Sequence, residues 1–188
     1  MKYRRLLKIS FLGVLYAIAF FCLFTIDALQ AKEETIYQLL DANTALADWS
    51  QKLGKIPMEI VTDPKDSKTK WVQVTDDSEK SNTAFAKPID ITGVKSVTVE
   101  FTAKMPEPKD PQVVILVFYN EKGEILNTPN GLWIDAKNRV QIKLDGEKFY
   151  TFKAAVPTGA EKCDIYIATY MKEMSQTWYR DFTITVEK

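Results

Sequence analysis

The amino-acid sequence predicts an all-β protein, an antiparallel β-sandwich that follows a hydrophobic N-terminal segment. Two observations support this prediction. After residue 55, short runs rich in β-branched and aromatic residues alternate with turn residues at near-regular spacing. No helical period separates these runs, and such spacing is typical of two packed antiparallel sheets rather than of a parallel sheet with helical crossovers.

The N-terminal segment has the layout of a secretory signal. An uncharged apolar run over residues 9–26 follows four cations, and the small residue Ala31 closes the segment (the cations are Lys2, Arg4, Arg5 and Lys8). Two outcomes stay open. Either the segment is cleaved after Ala31, which leaves one domain over residues 32–188, or the apolar run is retained as a membrane anchor. Retention is an alternative because the run reaches the ~18 residues that a membrane span needs. We therefore expect a secreted or extracytoplasmic domain, which contacts a membrane only through an uncleaved segment.

The individual strands follow from the parity of apolar residues. Residues 95–103 alternate strictly, which predicts a half-solvated strand over a core. Residues 112–119 are apolar on both parities and predict a central strand covered on both faces, which ends in a hairpin turn over residues 120–123. Residues 34–53 fit either an amphipathic helix or an edge strand over residues 36–40 followed by a loop. Further strands are expected at residues 58–62, 70–75, 139–144, 148–156, 162–170 and 179–186.

Composition restricts the chemistry. The sequence contains no histidine, so Ser-His-Asp or Cys-His catalysis and histidine zinc sites are excluded. Cys163 is the only cysteine after the signal, so no internal disulfide is possible, and its strand-like surroundings predict a buried small apolar residue. The small net negative charge of residues 32–188 argues against a nucleic-acid partner. We expect no enzyme; a small hydrolase that uses only carboxylates is a remote alternative.

Four stretches together resemble the galactose-binding-like jelly rolls, which include many carbohydrate-binding modules. They are residues 39–41 with 48–49, residues 117–125, residues 152–160 leading into 163–167, and residues 178–184. The resemblance implies an antiparallel sandwich of about eight or more strands, no catalytic activity and, in many members, glycan binding. It also implies a structural calcium ion where the first and last strands meet. Asp181 matches the acidic position of the last strand, and no other cofactor is expected.

Sugar binding requires aromatic rings and polar groups on a face that is not buried in the core, and parity selects the candidates. Cys163, Ile165 and Ile167 form the apolar face of their strand, which leaves the alternate positions on the other face. In the last strand the residues at odd positions are expected to point outward. Trp71 has the parity opposite to its valine neighbours, and Trp133 follows a flexible turn. The candidate ligand-binding residues are Trp71, Trp133, Asp164, Tyr166, Tyr170 and Tyr179.

The remaining tryptophans are expected in the core. Trp49 lies near the start of the domain, and Trp178 shares parity with Phe182. The leading hypothesis for function is an exported, non-catalytic carbohydrate-binding module whose partner is a glycan. The alternative is an extracellular or surface domain that serves protein interaction or structure without binding glycans.

Overall fold

The computed structural model describes residues 34–40, 46, 49–76, 84–107, 112–128, 135–142, 146–169 and 175–188, with the backbone alone over residues 34–40. The predicted signal or anchor over residues 1–31 lies outside these residues, as do Trp133 and Tyr170. In the part of the chain that the structure describes, no helix is long and apolar enough to cross a bilayer.

Two antiparallel sheets make up the fold. The strands are β1 (Glu34–Leu40), β2 (Ser50–Leu53), β3 (Glu59–Asp63), β4 (Asp66–Thr75), β5 (Ala84–Ile89), β6 (Ser96–Lys104), β7 (Gln112–Tyr119), β8 (Arg139–Ile142), β9 (Lys148–Ala155), β10 (Lys162–Thr169) and β11 (Gln176–Glu187). Sheet A has the strand order β3-β4-β11-β6-β9 with β1 also paired to β11, and sheet B has the order β2-β5-β10-β7-β8. The all-β sandwich predicted from the spacing is confirmed.

The strands with a clear apolar period lie where they were predicted. β6 alternates between buried and half-buried residues, and β7 is buried on both faces. Of the two possibilities for residues 34–53, the structure has the strand β1 and no helix over residues 34–40. β5 was not predicted, because it is rich in alanine and contains Pro88. Pro88 pairs with Asp164 of β10. It lies beyond the part of β5 that pairs with β2, so its missing N–H removes no hydrogen bond between β5 and β2.

The core lies between the inner faces of the two sheets and contains an aromatic cluster. The ring of Phe101 stacks on those of Phe182 and Tyr150, at centroid distances of 4.8 and 5.3 Å. Trp49 is buried against Phe182, as predicted. Cys163 is buried as well, and burial raises the pKa of its thiol, so the side chain acts as an apolar core residue.

A β-bulge in β11 reverses the parity that the sequence suggests. β11 pairs with β6, and three steps along β11, from Arg180 to Thr183, match two steps along β6. Asp181 takes up the extra residue in the left-handed conformation, with φ of 51°. Tyr179 and Phe182 therefore both point into the core, while Trp178 points to the outer face.

Two predictions for β11 are thereby wrong. Tyr179 was expected to face outward but is fully buried, and its hydroxyl donates a hydrogen bond to Oε1 of Gln112 in sheet B at 3.0 Å. Trp178 was expected in the core but is only half-buried on the outer face. The cause is the same for both: one inserted residue shifts every preceding side chain to the opposite face.

The bulge predicts a specific stability effect at Asp181. The side chain of Asp181 is largely exposed, so a substitution there acts chiefly through the backbone. Asn tolerates the left-handed conformation, whereas a β-branched residue does not. We expect Asp181→Val to be less stable than Asp181→Asn by about 1–2 kcal/mol in urea denaturation. Equal stability of the two variants would contradict the bulge geometry.

Candidate functional site

Two tyrosines and an acid lie together on the outer face of sheet B. The hydroxyl oxygens of Tyr119 (β7) and Tyr166 (β10) are 3.1 Å apart, and both side chains are half-buried. Asp164 lies on the same face of β10 and is also half-buried. Burial, together with the hydrogen bond to Tyr166, raises the pKa of Tyr119, so this phenol stays protonated. We call Tyr119, Asp164 and Tyr166 the tyrosine patch.

On β7, this outer face is apolar and covered up to the tyrosine patch. Val113, Ile115 and Val117 of β7 point to the same side as the tyrosine patch, yet their exposed fractions are only 0–6%. Parity thus placed Asp164 and Tyr166 on the correct, non-core face. On β7 and β10, exposure among the described residues of this face increases toward the tyrosine patch.

A second group of polar and aromatic side chains lies on the outer face of sheet A. The side chain of Trp71 points away from the core, as its parity predicts, but it is fully buried. Lys104 Nζ lies 4.2 Å from the centroid of its ring and Arg180 Cζ lies 4.8 Å from it. Trp71 is therefore no exposed stacking platform, because cationic side chains from β6 and β11 cover it.

Asp63 holds this group together. Its carboxylate accepts hydrogen bonds from Trp71 Nε1 at 3.0 Å, from the backbone N–H of Lys65 at 2.9 Å and from the ammonium group of Lys104. The Lys104 hydrogen bond is the largest cause that lowers the pKa of Asp63 from 3.8 to about 2. Asp63 is thus ionised at neutral pH.

The same group forms one wall of a cleft. Trp178 is held by a hydrogen bond from its Nε1 to Gln73 Oε1 at 3.0 Å, and Lys104 Nζ lies 4.9 Å from its ring centroid. The cleft has a volume of about 410 Å³, within the size range of small-molecule sites. Its lining residues are Asp63, Pro64, Lys65, Lys104, Met105, Pro106, Gly146 and Trp178.

Sequence reasoning missed this cleft. Asp63 and Lys104 come from strand ends that are far apart in the chain, and no local pattern connects them. Trp178 was placed in the core because the bulge has no clear signature in the sequence. The one residue of β11 that is compatible with such a bulge by its type is Asp181, because Asp tolerates a positive φ better than most residues.

The predicted calcium ligand Asp181 lies on the surface. Its Oδ2 atom is 3.5 Å from Arg180 Nε, and its side chain is 72% exposed. In the described part of the chain, no three side chains from His, Cys, Asp and Glu are grouped so as to hold a metal ion. Calcium binding at Asp181 stays a prediction from the resemblance.

Comparisons with known proteins concern the fold. No protein-family model matches the sequence, and no curated protein matches it. A Family 16 carbohydrate-binding module aligns with a TM-score of 0.57 and 10% identity over 79% of this chain and 99% of the module. The CBM22-1 xylan-binding domain of Paenibacillus barcinonensis Xyn10C aligns with a TM-score of 0.53 and 10% identity, over 84% and 97%. This chain has the jelly-roll fold of carbohydrate-binding modules.

Two further solved structures share this fold. The Family 11 module of Clostridium thermocellum, in complex with a β-1,3-1,4-mixed-linked tetrasaccharide, aligns with a TM-score of 0.53 and 11% identity over 82% of this chain and 96% of the module. The enzymatically active domain of bacteriophage CBA120 tailspike protein 4 has a TM-score of 0.53 and 12% identity. The alignment covers 76% of this chain but spans only 20% of that domain. The predicted resemblance is confirmed at the level of the fold.

The ionisation of Asp63 predicts a pH-dependent stability. Because its pKa is lowered in the folded protein, the ionised carboxylate stabilises the fold above about pH 4, and this contribution is lost as the pH falls toward about 2. We expect Asp63→Asn to be less stable than the natural protein at neutral pH, with the difference narrowing below about pH 4. Urea denaturation across this pH range measures the difference.

Asp181→Asn, which removes an exposed carboxylate, is the matched control. A difference between Asp63→Asn and the natural protein that stays constant with pH would contradict the role assigned to Asp63.

Proposed function

We propose that this protein is an exported, non-catalytic carbohydrate-binding module that holds a glycan at the tyrosine patch. The observation that carries the proposal is the pair of neighbouring tyrosines with Asp164 on a non-core face of sheet B. The shared fold supports it, because many proteins with this fold are carbohydrate-binding modules. The predicted export segment is consistent with a protein that meets glycans outside the cytoplasm.

The chemistry of the patch suits a sugar. Tyrosine rings offer an apolar surface for the C–H groups of a pyranose, and each carries a polar hydroxyl at its tip. In the pair of hydroxyls, one donates to the other, which leaves one O–H free to donate and lone pairs on both oxygens free to accept. The carboxylate of Asp164 adds an acceptor for a sugar hydroxyl.

Catalysis is not part of the proposal. The sequence has no histidine to act as general base, and the thiol of Cys163 is buried with a raised pKa. A buried thiol of this kind is not a nucleophile, since the thiolate is the reactive form.

The proposal predicts that glycan binding depends on the tyrosine patch. We expect Tyr166→Ala and Asp164→Ala each to weaken retention on the best-bound glycan of a broad array by at least about tenfold, equivalent to about 1.4 kcal/mol. Tyr166→Phe keeps the ring and loses the hydroxyl, so it separates stacking from hydrogen bonding. Thr151→Ala, an exposed change on sheet A, is the matched control.

Urea denaturation of each variant establishes that it is folded. If the natural protein binds no glycan on the array, or if Tyr166→Ala binds as well as Thr151→Ala, the tyrosine patch is not a glycan site. The first of these outcomes would favour the alternative of a surface interaction or structural domain.

A further inference from the structure

We infer that the cleft on the outer face of sheet A is a second binding site, and that its ligand is a neutral saccharide. This site is distinct from the tyrosine patch, because the two lie on the opposite outer faces of the sandwich. Its central groups are Trp178, Asp63 and Lys104, which line the cleft together. The inference extends the proposed function but rests on different residues.

The site is preorganised. Lys104 and Trp178 are cross-strand partners on β6 and β11, and Gln73 of β4 faces Trp178 from the other side. The hydrogen bond to Gln73 fixes the indole of Trp178, and Asp63 fixes the ammonium group of Lys104. A ligand that binds here orders few side chains, which reduces the entropic cost of binding.

Toward the described residues, the polar groups of the cleft keep unused hydrogen-bonding capacity. Among these residues, Oδ1 of Asp63 accepts one hydrogen bond, from the backbone N–H of Lys65, and an ionised carboxylate offers about four acceptor positions in all. Lys104 donates to Asp63 and has three N–H donors in total. An acceptor next to a donor matches two adjacent hydroxyls of a sugar ring, one donating to Asp63 and one accepting from Lys104. The indole of Trp178 supplies the apolar surface for the ring.

The pairing of Asp63 with Lys104 suits a neutral ligand that bonds to both groups, while Lys65 leaves the described lining with one net positive charge. The opposite charges of Asp63 and Lys104 compensate each other in direct contact, and Arg180 is paired with Glu147 beside the cleft. An anionic ligand would meet the ionised Asp63, and a cationic one would meet Lys104 and Lys65. Sugar hydroxyls satisfy both charged groups without adding a charge.

The indole N–H of Trp178 is a reporter within the site. We propose to titrate the full chain with methyl β-glucopyranoside, methyl β-galactopyranoside, methyl β-xylopyranoside and cellobiose, and to follow the indole N–H signals by NMR. Loss of one signal in Trp178→Phe assigns it. We expect the Trp178 signal to shift saturably with at least one probe below about 20 mM, a range that detects millimolar dissociation constants.

Two variants test the polar groups. Lys104→Met keeps an apolar stem over the indoles and removes the donors, and Asp63→Asn keeps the shape and removes the charge. We expect each to weaken the binding seen at Trp178 by about tenfold or more, as is typical when a hydrogen bond to a charged group is lost. Thr151→Ala, an exposed change outside the cleft and outside the tyrosine patch, should leave that binding unchanged.

The outcomes separate the two sites. No shift of the Trp178 signal with any probe overturns the cleft proposal, as does an equal shift in a folded Lys104→Met or Asp63→Asn variant. If Tyr166-dependent retention on the glycan array persists in that case, the tyrosine patch stands alone. If the Trp178 signal shifts while array binding does not depend on Tyr166, the cleft stands and the tyrosine patch fails.

Discussion

The bulge at Arg180–Asp181 is the constraint on which the arrangement of sheet A depends. β11 lies at the centre of that sheet, with β6 along one edge and β4 and then β1 along the other. The extra residue lies where β4 ends its pairing and β1 begins. It lets Tyr179 and Phe182 both enter the core, and it turns Trp178 outward into the cleft.

The inward part of β11 couples the two sheets. The hydroxyl of Tyr179 donates to Gln112 of sheet B, and Gln112 Nε2 in turn donates to the carbonyl oxygen of Val74 in sheet A at 3.2 Å. A buried polar group costs free energy unless it is hydrogen-bonded, so this bridge also fixes the positions of the strands it joins. Because this bridge holds β11 in the core, the positions of Trp178 and Arg180 on the outer face are fixed as well.

The outer faces differ in chemistry. Sheet A carries compensated charges around indole rings, with Asp63 binding Trp71 and Lys104 at once. Sheet B carries an apolar, covered area that ends in the tyrosine patch. The likeness to carbohydrate-binding modules concerns the fold, and a fold does not by itself assign a ligand. In our proposals, ligand recognition depends on these two sets of side chains, which the variants test separately.

The sequence by itself determined the fold class, because apolar residues that recur every second position indicate a strand, such as β6, with one buried and one solvated face. It also placed Asp164, Tyr166 and Trp71 on non-core faces, since parity holds along a regular strand. Only the tertiary structure decided that Trp71 is covered by Lys104 and Arg180, because that contact joins strands distant in the chain. Likewise, the side chains of β11 change faces at a bulge that only its pairing with β6 reveals.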